Sequence, residues 1–153
     1  MTRVEPHNAP YLLEEMSGHV LWLTLNRPQQ RNPLSSQMLA ALTEAMERAN
    51  NTTEVRVIVI AGSGPVFSAG HDLREMAPRE GEETKAREAR IRQILVDCSR
   101  MMLGIVHSPK AVIACVQATA TAAGCQLVSA CDLAIASDRA QFCTPGVNIG
   151  TFC

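Results

Sequence analysis

Val116-Gln117-Ala118-Thr119-Ala120-Thr121-Ala122-Ala123-Gly124-Cys125-Gln126-Leu127 is the stretch that decides how this chain is read. It leaves an apolar run, Ala111 to Val116, whose length and branched side chains mark a buried strand. It then crosses a loop of small residues, 117–121, and enters a helix that begins at Ala122 or Ala123 and reaches about Ala130. Tiny side chains where a strand gives way to a helix let a ligand approach the main chain, and the first N–H groups of a helix are unpaired donors with a favourable dipole. The same arrangement occurs earlier, in Val66-Phe67-Ser68-Ala69-Gly70-His71-Asp72-Leu73. Either junction alone is better explained by tight helix–strand packing. Two such donors meeting over one oxygen would form an oxyanion hole.

Working outward, strands alternate with helices, which predicts an α/β fold. Tyr11 to Met16 and His19 to Leu25 read as two strands around Ser17-Gly18, and Asn26-Arg27-Pro28 breaks the second. A helix capped by Ser35 or Ser36 carries Met38, Leu39, Leu42, Ala45, Met46 and Ala49 at helical spacing. Val55 to Ala61 is a buried strand, followed by loops at 62–65 and 68–70 and a short helix near Asp72 to Met76. The polar segment 77–83 is expected to be mobile. A long amphipathic helix runs from Thr84 to about His107, with Glu83–Arg87 and Glu88–Arg92 expected to pair on its solvated face. Ser108-Pro109 ends it, Leu133 to Ala136 is a strand, and Gln141-Phe142 begins another.

The 153 residues point to one domain. With 14 basic against 15 acidic residues the charge is −1, which argues against a nucleic-acid arm or a polybasic membrane anchor. Aromatic residues make up only 3% of the chain, so the core must be aliphatic and base-stacking platforms are disfavoured. The uncharged segment from Ala111 to Cys131 is long enough for a membrane span, but its polar interruptions read as strand, loop and helix instead. Cys98, Cys115, Cys125, Cys131, Cys143 and Cys153 show no metal-ligand spacing and are expected to be reduced and buried. Glu5, His7 and Asn8 interrupt the N-terminus, which has no apolar run of the secretory kind.

Taken in order, several segments resemble the crotonase (enoyl-CoA hydratase/isomerase) superfamily. They are Leu25-Asn26-Arg27-Pro28 with Arg31-Asn32-Pro33-Leu34, Val57 to Ile60 leading to Phe67-Ser68-Ala69-Gly70-His71-Asp72-Leu73, and Pro109 to Ala114. They continue with Ala122-Ala123-Gly124-Cys125-Gln126-Leu127, Cys131 to Ala136, and Phe142 to Gly150. Within the superfamily, Ser68-x-Gly70-His71-Asp72-Leu73, Gly124-Cys125-Gln126-Leu127 and Thr144 to Asn148 are similar to the enoyl-CoA hydratase domain-containing protein 3 group. The resemblance implies a spiral of ββα turns that binds acyl-CoA, with the main-chain N–H groups of His71 and Ala123 on the thioester carbonyl. It also implies that Ala69, Gly70, Asp72, Leu73, Arg74 and Gly124 flank the substrate and that Arg27 and Arg31 contact the coenzyme A phosphates. Coenzyme A enters as part of the substrate; no separate cofactor and no metal is expected.

Two departures from the family pattern stand out. The two glutamates that hydratases use fall at Gln126 and Gly146, and neither residue exchanges a proton near neutral pH. Acid–base assistance of that kind is worth about 100- to 10,000-fold, so standard hydration is expected to be impaired or absent. The matching segment also stops at Gly150-Thr151-Phe152-Cys153, where relatives continue into helices that complete the acyl pocket and the trimer contacts. The chain is therefore expected to be the N-terminal core of a single domain, incomplete at its end, with the full-length protein a homotrimer or hexamer. The leading expectation is an acyl-CoA enzyme of fatty acid metabolism, a lyase by family, located in the cytoplasm or, in a eukaryote, the mitochondrial matrix. It would stabilise a thioester enolate. The alternatives are a non-catalytic acyl-CoA-binding protein and an inactive fragment.

Overall fold

The computed structural model describes residues 9–150. The expectations for Glu5, His7, Asn8, Thr151, Phe152 and Cys153 lie outside the described residues.

Strands β1 (Leu12–Ser17) and β2 (Val20–Leu25) form an antiparallel hairpin whose turn holds Gly18 at φ +59°, a conformation natural to glycine. Helix α1 (Ser36–Asn50) follows, its first turn capped by the Ser35 hydroxyl, which accepts from the Met38 N–H at 3.3 Å. From there each turn of the chain repeats one plan. A strand of four to six residues enters one sheet, a strand of two or three enters a second, and a helical element leads back. The turns are β3 (Val57–Gly62), β4 (Val66–Ser68), α2 (Leu73–Met76) and α3 (Thr84–Val106); then β5 (Ala111–Val116), β6 (Thr119–Thr121) and α4 (Ala123–Ala130); then β7 (Leu133–Ala136), β8 (Phe142–Cys143) and the 3₁₀ turn Pro145–Ile149. The larger sheet has the order β1-β2-β3-β5-β7 and the smaller β4-β6-β8, with every pairing after the first hairpin parallel. Parallel neighbours require crossovers, and the helices supply them. This is the spiral of ββα turns that the family resemblance implies.

Register builds the core. Leu21, Ile58 and Val112 lie in one row across β2, β3 and β5, and Leu23, Ile60 and Ala114 in the next. All six are buried, and they join Met38, Leu42, Met46, Met101 and Ile105 of α1 and α3 in one cluster. Each buried Leu, Ile, Val or Met among them contributes about 1.5–3 kcal/mol on leaving water. β7 is different: all four of its residues are exposed, and Leu133, Ile135, Phe142 and Val147 are large apolar side chains left exposed in this last turn of the spiral.

Several expectations are corrected. The loop read over 117–121 contains strand β6, and Ser68, read as loop, ends strand β4. Strands this short show no alternation, and their partners come from other turns of the spiral. Within segment 77–83, Arg90 of α3 reaches across to the Glu82 carboxylate with bonds of 2.9 and 2.6 Å. The pairs Glu83–Arg87 and Glu88–Arg92 are absent from the ion pairs among the described residues. Of the described cysteines only Cys98 is fully buried, and Cys143 is exposed, its thiol facing the Thr121 hydroxyl at 3.2 Å. Cys131 is half-buried, and burial, reinforced by the neighbouring Asp132 charge, pushes its thiol up to about 12. Among the described residues no helix is long and apolar enough to cross a membrane.

Candidate functional site

The two small-residue junctions, fifty positions apart in sequence, meet because β4 and β6 pair in parallel and both run into helices at the same end. Gly70 holds φ +83°, and a Cβ built on it would stand 2.9 Å from the Ala122 Cβ and 3.0 Å from the Ala123 nitrogen. Gly124 seats the first turn of α4 on β4, since a Cβ there would come within 2.6 Å of the Ser68 carbonyl oxygen. Both glycines are thus required by close approach as well as, for Gly70, by conformation.

The loop before His71 is held by a ladder of bonds to the segment preceding α1. The Ala69 N–H donates to the Arg31 carbonyl at 2.9 Å, and the Leu34 N–H to the Gly70 carbonyl at 2.8 Å. The buried Ser68 hydroxyl donates to the Asn32 carbonyl at 2.8 Å and accepts from the Gly70 N–H at 3.2 Å. Amides alternate in direction along extended chain. With Leu34 and His71 bridged as parallel strands through the Gly70 carbonyl, the His71 N–H faces away from Leu34. Neither the His71 N–H nor the Ala123 N–H donates to another described residue. Ala123 is the first residue of α4, so its N–H is one of the unpaired donors of a helix start. Ala122 ahead of it holds φ +52° and ψ −125°, a strained conformation for a residue with a side chain, pinned by its N–H donating to the Cys143 carbonyl at 2.9 Å.

His71 and Ala123 both line a cleft of about 770 Å³ between α2, α3 and α4. Leu73, Met76, Ile91 and Leu95 give it apolar walls, and Gln126, Arg87 and Ser99 are polar groups that the helices bring to it. A concave, mostly apolar cleft with a few polar groups is the usual setting for a small-molecule ligand. Burial pushes the His71 imidazole below its ordinary value, outweighing the Leu34 carbonyl and the Glu75 charge, which favour the charged ring. The ring Nδ1 is buried without a hydrogen-bond partner. Among the described residues no cluster of His, Cys, Asp or Glu is placed to hold a metal ion.

The remaining candidates separate. Leu73 and Gln126 reach the cleft, whereas Gly146 is buried in the Pro145–Ile149 turn and is not part of the wall. Asp72 caps α2, accepting from the Arg74 N–H at 3.0 Å, and pairs with the Arg74 guanidinium, which holds its carboxyl below the usual range. Arg27 donates to the carbonyls of Ala9, Pro10 and Asn26 and lies 3.6 Å over the Tyr11 ring, so its terminal nitrogens are engaged within the protein. Arg31 is exposed and shapes its loop through φ +65°.

Two important residues escape the sequence reading. The buried Asn32 side chain accepts from the Arg27 N–H at 2.8 Å and donates to the carbonyls of Ser63 and Val66 at 2.8 and 2.9 Å, tying the segment before α1 to the loop after β3 and the start of β4. Arg87 lies in the cleft rather than on the solvated face. Its spacing to Ile91, Ile94 and Cys98 places it on the apolar stripe of α3, and that was the available signal.

Comparison with known proteins places this geometry in context. The family model described as enoyl-CoA hydratase/isomerase matches residues 15–153. The enoyl-CoA hydratase domain-containing protein 3, mitochondrial, of Danio rerio is 45% identical over 141 residues, covering 92% of this chain and 47% of the relative. The crystal structure of an enoyl-CoA hydrotase/isomerase family protein from Silicibacter pomeroyi superposes with a TM-score of 0.84 at 46% identity, over 93% of this chain and 58% of that one. The human enoyl Coenzyme A hydratase domain-containing protein 3 structure gives a TM-score of 0.85 at 38% identity, over 94% and 54% respectively. The chain spans about half the length of the curated relatives it matches.

Proposed function

Because the chain belongs to the enoyl-CoA hydratase/isomerase family, we propose that it binds an acyl-CoA thioester in the cleft and polarises the thioester carbonyl with the N–H groups of His71 and Ala123. The observation that carries this reading is the approach of Gly70 to the Ala123 nitrogen, with both amides undonated and both residues on one cleft. Removing or adding a proton next to a thioester places negative charge on its oxygen as an enolate. Fixed main-chain donors stabilise that charge without reorganising, and loss of one costs roughly 100- to 1000-fold in rate. No particular side chain is needed for that role, so histidine and alanine fill it as well as any residue the loops accept.

Glutamate-assisted hydration is not the reaction proposed. Gln126 faces the cleft but has no exchangeable proton near neutral pH, and Gly146 has no side chain to offer. The proposal is an enolate-type step on an acyl-CoA in fatty acid metabolism, with no cofactor beyond the coenzyme A carried by the substrate. A trimeric or hexameric assembly of the whole protein belongs to the same reading. Of the two compartments expected, the mitochondrial matrix is the one that the names of the vertebrate relatives favour. A second reading, acyl-CoA binding without turnover, is favoured by the same two substitutions at Gln126 and Gly146. A panel of acyl-CoAs, followed by calorimetry for binding and mass spectrometry for products, separates the two. Conversion of any member supports the enzyme, binding without product supports the binder, and absence of binding overturns both.

A further inference from the structure

Arg87 projects from α3 into the cleft that also holds His71, Ala123 and Gln126. Its side chain is half-buried, and its Nε is fully buried without a hydrogen-bond partner. The guanidinium makes no ion pair with any described residue. Glu83, one turn back, is exposed and leaves it unpaired. Other acids nearby are already committed. Glu82 is clamped by Arg90, Asp72 by Arg74, and the Glu75 carboxylate accepts from the Ser36 N–H and hydroxyl at 2.9 and 2.8 Å. No carboxylate is among the described residues that line the cleft, and the walls around Arg87 are Leu73, Met76, Ile91 and Leu95.

A guanidinium cannot shed its proton to escape such a place. A partly desolvated cation against apolar walls is costly unless an anion and hydrogen bonds compensate it. Arginine's planar fork matches a carboxylate in two parallel bonds. Building on the acyl-CoA reading above, we infer that the site selects acyl-CoA thioesters whose acyl chain ends in a carboxylate, and that Arg87 is the residue that recognises this second acid. The thioester end lies at His71 and Ala123, and the distal carboxylate lies against α3. Arg87 is a specificity-determining residue in this assignment, with no part in the bond-making step.

The test compares binding of butyryl-, succinyl-, glutaryl- and adipyl-CoA to the protein, to Arg87→Gln and to Arg87→Lys, with thermal unfolding of each variant recorded alongside. At least one carboxylate-ended thioester should bind about 10- to 100-fold tighter than butyryl-CoA, the worth of a charge-assisted pair in such a setting. R87Q should abolish that preference, while R87K should retain part of it. Equal binding of all four ligands to the unaltered protein, or a preference that survives in R87Q, overturns the inference and leaves the acyl-CoA reading intact. Equal weakening of all four ligands in R87Q also overturns it, because Arg87 would then be holding the coenzyme A phosphates. Absence of binding by every ligand overturns the acyl-CoA reading and this inference together. If R87Q does not fold, the comparison rests on R87K, where an undiminished preference for the carboxylate-ended ligand is the contradicting result.

Discussion

A methyl group on Gly70 would stand 3.0 Å from the Ala123 nitrogen, so the turn before His71 and the first turn of α4 are packed main chain against main chain. Gly70→Ala therefore forces a side chain into a positive φ and into a filled space. The two effects together cost about 2–5 kcal/mol. Urea unfolding should show that loss, and acyl-CoA binding should fall with it. A variant as stable as the parent would mean that the junctions are looser than described.

Ala122 makes the opposite prediction. Its φ of +52° suits glycine, which has no Cβ to strain. Ala122→Gly relieves about 1–2 kcal/mol of conformational strain and gives back part of it through the greater freedom of the unfolded chain. The net expectation is a gain of about 1 kcal/mol in urea unfolding. A loss of stability would show that the methyl group contributes packing that outweighs its strain.

Asn32 is fully enclosed and satisfied by bonds from Arg27 and to Ser63 and Val66. Asn32→Ala leaves one buried donor and two carbonyls without partners, for a cost of about 3 kcal/mol. Thermal unfolding measures it directly. Asn32→Asp should be no rescue, because a carboxylate cannot donate to the two carbonyls.

His71 gives a pH signature. Burial holds its folded value below the ordinary 6.5, so the unfolded chain takes up a proton first as the solution is acidified. The stability linked to His71 is fully present above about 6.5 and is lost as pH falls through the folded value. His71→Gln should flatten the difference in stability between neutral and mildly acidic solution. An unchanged pH profile in H71Q would place the ring in an ordinary solvated setting.

The sequence made the long elements plain for physical reasons. Strands β5 and β7 and helix α3 carry enough apolar residues in a row or at helical spacing for their period to show. Strands β4 and β6, at three residues each, show no period at all, yet they bring the two junctions together. The main-chain site at His71 and Ala123 was legible only through motif resemblance, since an N–H group leaves no mark on residue type. Asn32 stands in the sequence only as part of a family motif, with no role of its own, and Arg87 reads as solvated surface. Asn32 acts through long-range carbonyls of Ser63, after β3, and Val66, at the start of β4, and Arg87 lines the cleft without pairing with Glu83.

The convergence of the two amides is tested most directly by following the backbone N–H resonances of His71 and Ala123 by NMR while a non-reactive acyl-CoA thioester analogue is added. Both should move downfield together and saturate at the same ligand concentration as binding measured by calorimetry. Saturated binding with either resonance left in place would contradict the shared carbonyl site.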